Sequence, residues 1–284
     1  MVTGNQLLII DPQNDFCDLP PDWQPRSPLS AQACAPALPV QGAHQDMLRL
    51  AGFIKQNATS LSGITVTLDS HSRVDIAHPP FWRQASGEPV MPFTQVSAAE
   101  VRAGRFMPRD AAALPRVLCY LDELEARGRY TLMVWPVHCE IGTWGHAVHA
   151  AVQAALNGWE EGKLRQVRHV HKGENPWTEH YSAMQAEVPD ANDPGTELNR
   201  ALLTELDQAD TLFIAGQASS HCVRATTEHI VANLPSRRPQ RIVLLTDCMS
   251  PVGGFEPQAE AFLTDMKAQG VRLATAAQAT SWLN

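Results

Sequence analysis

The stretch Thr211-Leu212-Phe213-Ile214-Ala215-Gly216-Gln217-Ala218-Ser219-Ser220-His221-Cys222-Val223-Arg224-Ala225-Thr226 decides how this chain folds. Thr211 to Ala215 is a short, nearly unbroken apolar block, which is how a strand buried on both faces reads. Small and polar residues from Gly216 to Ser220 then allow a turn, and helical spacing follows from Cys222 to Asn233. Cys222 therefore stands where a helix starts at the end of a buried strand. The positive end of that helix favours thiolate over thiol, the setting of a nucleophile.

Working outward, the same strand-then-helix unit recurs in both directions. Further strands are predicted over Leu7 to Ile10, Ile64 to Leu68, Tyr130 to Val134, Val167 to Val170, Arg241 to Thr246 and Val271 to Ala274. Helices are predicted near His44 to Ser60, Leu114 to Arg127, Gly145 to Asn157, Thr196 to Gln208 and Pro257 to Gln269. Apolar strands separated by helices imply an α/β three-layer sandwich, with a mainly parallel, doubly wound, Rossmann-like sheet of about six strands. With 284 residues and no linker-like stretch, residues 1–284 read as one domain able to bury a large core. The Pro-rich stretches Pro20 to Pro39 and Pro79 to Pro115 read as covers or contact surfaces.

Composition narrows the partners. A formal net charge of -8 argues against nucleic acid and acidic membranes, which would repel the chain. Met1 to Gln6 carries no basic residue and leads into an apolar run, Leu7 to Ile10, too short for a signal peptide. No apolar run approaches the ~18 residues of a membrane span. The six cysteines, at 17, 34, 119, 139, 222 and 248, show neither CxxC spacing nor a small-domain framework, so a reducing cytoplasmic setting is expected.

Ligands of such sheets bind beyond the carboxyl ends of the strands, and there this chain places its chemistry. The first strand leads into Asp11 within Asp11-Pro12-Gln13-Asn14-Asp15-Phe16. The second ends in Asp69, followed by His71 and His78; the third leads into Trp135-Pro136-Val137-His138-Cys139; the fourth leads into Lys172-Gly173; the fifth leads to Cys222. Taken singly, each has a bland explanation as a cap, a solvated end or a surface imidazole. Five successive strand ends carrying such groups point to a common site.

These pieces resemble a known family, the nicotinamidases within the isochorismatase-like cysteine hydrolases. The resemblance rests on Leu8 to Cys17, Asp69-Ser70-His71, Trp135 to Thr143, Lys172-Gly173 with Tyr181-Ser182, and Ala215 to Thr226, in the family's order. It implies a catalytic triad of Asp11, Lys172 and Cys222, and a site for one divalent transition metal ion, zinc, iron or manganese, at Asp69, His71, His78 and His138. One carboxylate and three imidazoles suit any of those metals. It also implies an oxyanion hole from the Ala218 and Cys222 N–H groups, arranged by a cis peptide between Gln217 and Ala218. Phe16, Trp135, Tyr181 and His221 would line the substrate pocket, and His44, His146, His149, His169, His171, His180 and His229 would be structural or surface residues.

The implied activity is deamidation of nicotinamide, a step of NAD salvage, through a Cys222 thioester, and the family often forms homo-oligomers. Relative to compact nicotinamidases, the chain carries an insertion at about residues 79–134, between two metal-site histidines, which is expected to roof or reshape the pocket. Another small amide or a carbamoyl compound is therefore an alternative substrate, and a non-catalytic binding module on the same scaffold is a further alternative. A vinyl-ether hydrolase of the isochorismatase type would lack the cysteine.

Overall fold

β1 (Asn5–Ile10) runs through the middle of the molecule, with Leu7, Leu8, Ile9 and Ile10 all fully buried. The computed structural model describes residues 4–283; Met1 to Thr3, which belong to the amino-terminal reading above, and Asn284 lie outside the described residues. The remaining strands are β2 (Leu61–Asp69), β3 (Trp82–Gln84), β4 (Thr94–Val96), β5 (Phe106–Pro108), β6 (Leu132–Val134), β7 (Arg168–Lys172), β8 (Thr211–Gly216), β9 (Ile242–Leu245) and β10 (Arg272–Ala274). The helices are α1 (Ala43–Gln56), α2 (Ala98–Arg102), α3 (Leu114–Arg127), α4 (Ala150–Lys163), α5 (Arg200–Leu206), α6 (Cys222–Asn233), α7 (Glu256–Ala268) and α8 (Ala276–Leu283).

Six strands form one sheet in the order β10-β9-β8-β1-β2-β7, and every pairing in it is parallel. Side chains alternate across a strand, so a fully apolar strand must feed two cores. Leu7 and Ile9 pack with Met47 and Phe53 of α1, Leu156 and Trp159 of α4 and Ala279 of α8. Leu8 and Ile10 pack with Leu202 and Leu206 of α5, Val223 and Ile230 of α6 and Phe262 of α7. Each such aliphatic side chain contributes about 1.5–3 kcal/mol on burial. The expected three-layer α/β sandwich with a parallel sheet of about six strands is the observed architecture.

One expected sheet member lies elsewhere. The run Tyr130 to Val134 yields β6, which pairs antiparallel with β4 outside the central sheet. Leu132 and Val134 are buried in a third cluster with Ile76, Val96, Val117, Leu121 and Val188, so the run is apolar because it enters a core separate from those of the central sheet. A continuous apolar run cannot report which core it enters. The same cluster holds Phe81, Trp82 and Phe106, and β3 pairs antiparallel with β5 beside it.

Helix ends also moved from the sequence expectation. α4 begins at Ala150, not Gly145, because the His149 side chain accepts the Ala151 N–H and caps it. α5 begins at Arg200, not Thr196, with the Asn199 side chain accepting the Leu202 N–H. Both are side-chain caps that satisfy amides left open in a first turn.

Candidate active site

Adjacent strands β8, β1, β2 and β7 end at one rim, and four of the sequence-derived residues stand there. Asp11 follows β1 with φ 45°, a left-handed conformation that aspartate tolerates better than most residues. Asp69 closes β2 and is in direct register with Lys172, which closes β7. Gly216 closes β8 opposite Ile10, and the turn after it delivers Cys222 to the first position of α6. The Gln217–Ala218 peptide is cis, as the resemblance implies. The Ala218 carbonyl accepts the His221 and Val223 N–H groups, which folds the turn tightly onto the start of α6.

Lys172 is the hub. Its Nζ lies 3.0 Å from Asp11 Oδ2, 2.8 Å from Asp69 Oδ1, 3.0 Å from the His180 carbonyl oxygen and 3.6 Å from Cys222 Sγ. An ammonium has three protons, and the hydrogen bonds to Asp69 Oδ1, the His180 carbonyl and Cys222 Sγ use them, so Asp11 Oδ2 is held by charge. The two carboxylates override the effect of burial and hold the Lys172 pKa well above its ordinary value. Thr67 donates its hydroxyl to Asp11 Oδ1 at 2.6 Å and fixes that carboxyl. Burial nevertheless pushes Asp11 above the usual carboxylate range, with Lys172 opposing, which is the direction a proton acceptor needs.

The thiol departs from the sequence expectation. Burial pushes the Cys222 pKa well above its ordinary value; Lys172 pulls it down, while Asp11 and Asp69 add to the rise. At the sulfur, burial and the two carboxylates therefore oppose Lys172 and the helix N-terminus. Burial is the largest cause, and the two carboxylates add to it against the single ammonium.

Beside this group the four expected metal-site residues meet. The ligand atoms of His71, His78 and His138 lie within 4.8 Å of one another, and all three residues are buried. Asp69 Oδ2 is 3.1 Å from His71 Nε2 and 3.2 Å from His138 Nε2, while its Oδ1 faces Lys172. Burial and the neighbouring His138 and His71 push the His78 pKa down to about 2, leaving a neutral imidazole with a buried, unpartnered Nδ1. Three imidazoles converging beside a carboxylate are a donor set that a divalent transition metal takes, so the residues fit the ion. Asp75 accepts from His71 Nδ1 at 3.1 Å and orients the ring from behind.

A pocket joins the two groups. It is lined by Phe16, Leu38, Asp69, Trp135, His138, Glu179, Tyr181, Ala218, His221, Cys222 and Val252. All four aromatic positions expected from the sequence are in this wall. Trp135 donates its indole N–H to the Tyr181 hydroxyl at 3.1 Å, and the His221 ring lies 5.3 Å from each of those two rings. Phe16 packs 5.4 Å from His138.

Several residues escaped the sequence reading. Asp75, four residues after His71, carried a weak signal in its spacing. The sequence makes His180 a structural or surface residue; its Nδ1 accepts the Gly173 N–H at 3.3 Å while its carbonyl holds Lys172. Thr67 and Glu179 gave no signal, because their roles come from chain segments distant in sequence. Gln13 clamps the end of β2 by bonding both the Asp69 N–H and its carbonyl, each at 2.8 Å.

No protein-family model and no curated protein sequence matches the chain. Solved structures do. A nicotinamidase/pyrazinamidase of Acinetobacter baumanii is similar at a TM-score of 0.61 and 17% identity, over 96% of this chain and 97% of that one. The yeast nicotinamidase bound to the inhibitor nicotinaldehyde is similar at 0.60 and 18% identity, over 95% and 99%. The pyrazinamidase of Pyrococcus horikoshii in complex with zinc is similar at 0.54 and 17% identity, over 96% and 99%. The nicotinamidase-like, isochorismatase-like fold expected from the sequence is the fold of this chain.

Proposed function

We propose that this protein is a metal-dependent cysteine amidohydrolase acting on a small heteroaromatic carboxamide, with nicotinamide the first candidate. The observation that carries the reading is Lys172 Nζ between Asp11, Asp69 and Cys222 Sγ at the end of a pocket walled by His138 and aromatic rings. Nicotinamidases and pyrazinamidases of the same fold support it.

Cys222 Sγ attacks the amide carbon as its proton passes to Asp11, so that a C–S bond forms and the carbonyl electron pair moves onto oxygen. The N–H groups of Ala218 and Cys222 hold that oxygen, and Lys172 balances the charge around it. Asp11 then gives its proton to the amide nitrogen, the C–N bond breaks and ammonia leaves a thioester. Asp11, again a carboxylate, takes a proton from water, whose oxygen attacks the thioester carbon. The C–S bond breaks and the sulfur regains the proton from Asp11. His71, His78, His138 and Asp69 would hold zinc, iron or manganese. When bound, the ion supplies a Lewis acid for a ring nitrogen and so orients the ring. Phe16, Trp135, Tyr181 and His221 would contact the flat substrate, at about 1 kcal/mol per aromatic pair beyond burial.

The chain reads as one domain with an insertion at about 79–134, and its six free thiols suit a reducing cytoplasmic setting, with nicotinamide salvage as the pathway and a homo-oligomer as the assembly. Among the described residues no helix is long and apolar enough to cross a membrane. Ammonia release from nicotinamide by wild type and by Cys222→Ala tests the reading, with elemental analysis of the purified protein. Release abolished by the substitution and a stoichiometric transition metal are expected. Release without metal would favour a carbamoyl-type amidase, and no release from any small amide would favour a binding module.

A further inference from the structure

The pocket contains one carboxyl group that neither the triad nor the metal set uses. Glu179 lines the wall and is only 4% exposed. Its Oε1 accepts the His180 N–H at 2.9 Å, and its Oε2 is buried with no partner. A buried acceptor left without a partner is costly, so an unpartnered carboxylate oxygen on a pocket-lining residue asks for a ligand.

The position is built. The backbone N–H of Glu179 donates to the Tyr120 hydroxyl at 3.1 Å, and Tyr120 belongs to α3 of the insertion. Its carbonyl accepts the Glu187 N–H at 2.9 Å. Trp177, two residues earlier, packs edge-on to Phe81 of the insertion, ring centroids 5.7 Å apart, and carries the Arg116 guanidinium 4.2 Å above its ring. The insertion thus shapes the pocket by fixing the 177–181 segment.

Resting on the amidohydrolase reading, we propose that Glu179 is a specificity-determining residue whose open Oε2 accepts a hydrogen bond from an amino or hydroxyl substituent on the ring of the substrate carboxamide. Apart from the triad and metal residues, Glu179 is the one carboxyl among the described residues of this wall, whose other polar side chains are Trp135, Tyr181 and His221 beside the apolar Phe16, Leu38 and Val252. A site that pairs a substrate N–H or O–H discriminates against the analogue lacking it far better than an apolar wall does.

The test compares nicotinamide with the monoamino and monohydroxy pyridine-3-carboxamides by kcat/KM, and the matching carboxylic acids by calorimetric Kd, in metal-loaded wild type and Glu179→Gln. Glutamine keeps the shape and still accepts the His180 N–H, so its NH2 would face the pocket and turn the acceptor into a donor. Wild type is expected to favour one substituted isomer at least ~10-fold in both measurements, the worth of about one charge-assisted hydrogen bond, and Glu179→Gln to lose or invert that ratio. A wild-type preference for the unsubstituted compounds, or a ratio unmoved by the substitution, overturns the assignment. Loss of hydrolysis across the whole panel with the Kd ratio intact would sink the amidohydrolase reading and leave Glu179 as the reader of the ring.

Discussion

Gly216 joins the sheet to the chemistry, and Gly216→Ala measures how closely the two are tied. A methyl group built there lies 1.9 Å from the Ile10 carbonyl oxygen and 2.6 Å from the Ile10 nitrogen, and both are backbone atoms that no rotamer change can move. To restore even a 3.0 Å contact, β8 and β1 must part by about 1 Å at the residue before Asp11. The φ of 124° adds backbone strain for any residue with a Cβ. Overpacking costs about 1–3 kcal/mol and the unfavourable dihedral a similar amount, so a loss of about 2–6 kcal/mol is expected. The Gln217 N–H bond to the Ile10 carbonyl, 2.8 Å, would be strained by the same displacement. Because a 1 Å error between reacting groups costs about 100-fold, amide turnover should fall by at least that factor. Urea unfolding and steady-state ammonia release are the assays, with Gly253→Ala as control, since a methyl there meets nothing within 4 Å. Stability within about 0.5 kcal/mol of wild type together with near-normal turnover would refute the claim that this close approach sets the site.

Two further outcomes are expected. Asp75→Asn removes the carboxylate behind His71 Nδ1 and should weaken zinc affinity about 10–100-fold, read by chelator competition; unchanged affinity would remove Asp75 from the metal-site argument. Glu187 is buried with an unpartnered Oε1, and burial, opposed by Arg129, pushes its pKa from 4.5 up to about 7. The folded state then keeps a proton that the unfolded chain has lost, so this group's contribution is full below about pH 4.5 and falls as pH rises, by about 3 kcal/mol above pH 7. Glu187→Gln should therefore raise the urea midpoint at pH 8 much more than at pH 5, and an equal change at both would contradict the argument.

Much of this protein is written locally. Unbroken apolar runs such as Leu7 to Ile10 and Leu212 to Ala215, alternating with helical patterns, read as strands covered on both faces and imply a parallel sheet between helices. Because such sheets gather ligands at their carboxyl ends, the positions of Asp11, Asp69, Lys172 and Cys222 along the chain already point to one rim. What local pattern cannot carry is the environment a residue meets. The apolar run at β6 reads the same whether it enters the central sheet or the separate core around α3. The sequence around Cys222 shows the helix start but neither the burial of the thiol nor the carboxylates of Asp11 and Asp69, more than 150 residues away in sequence, that oppose Lys172 there. Thr67, Asp75, His180 and Glu179 are ordinary letters until folding sets them against an aspartate, a histidine, a lysine and a pocket. Hydrogen bonding and electrostatics depend on distance in space and on exclusion of water, and only the tertiary structure sets those two quantities.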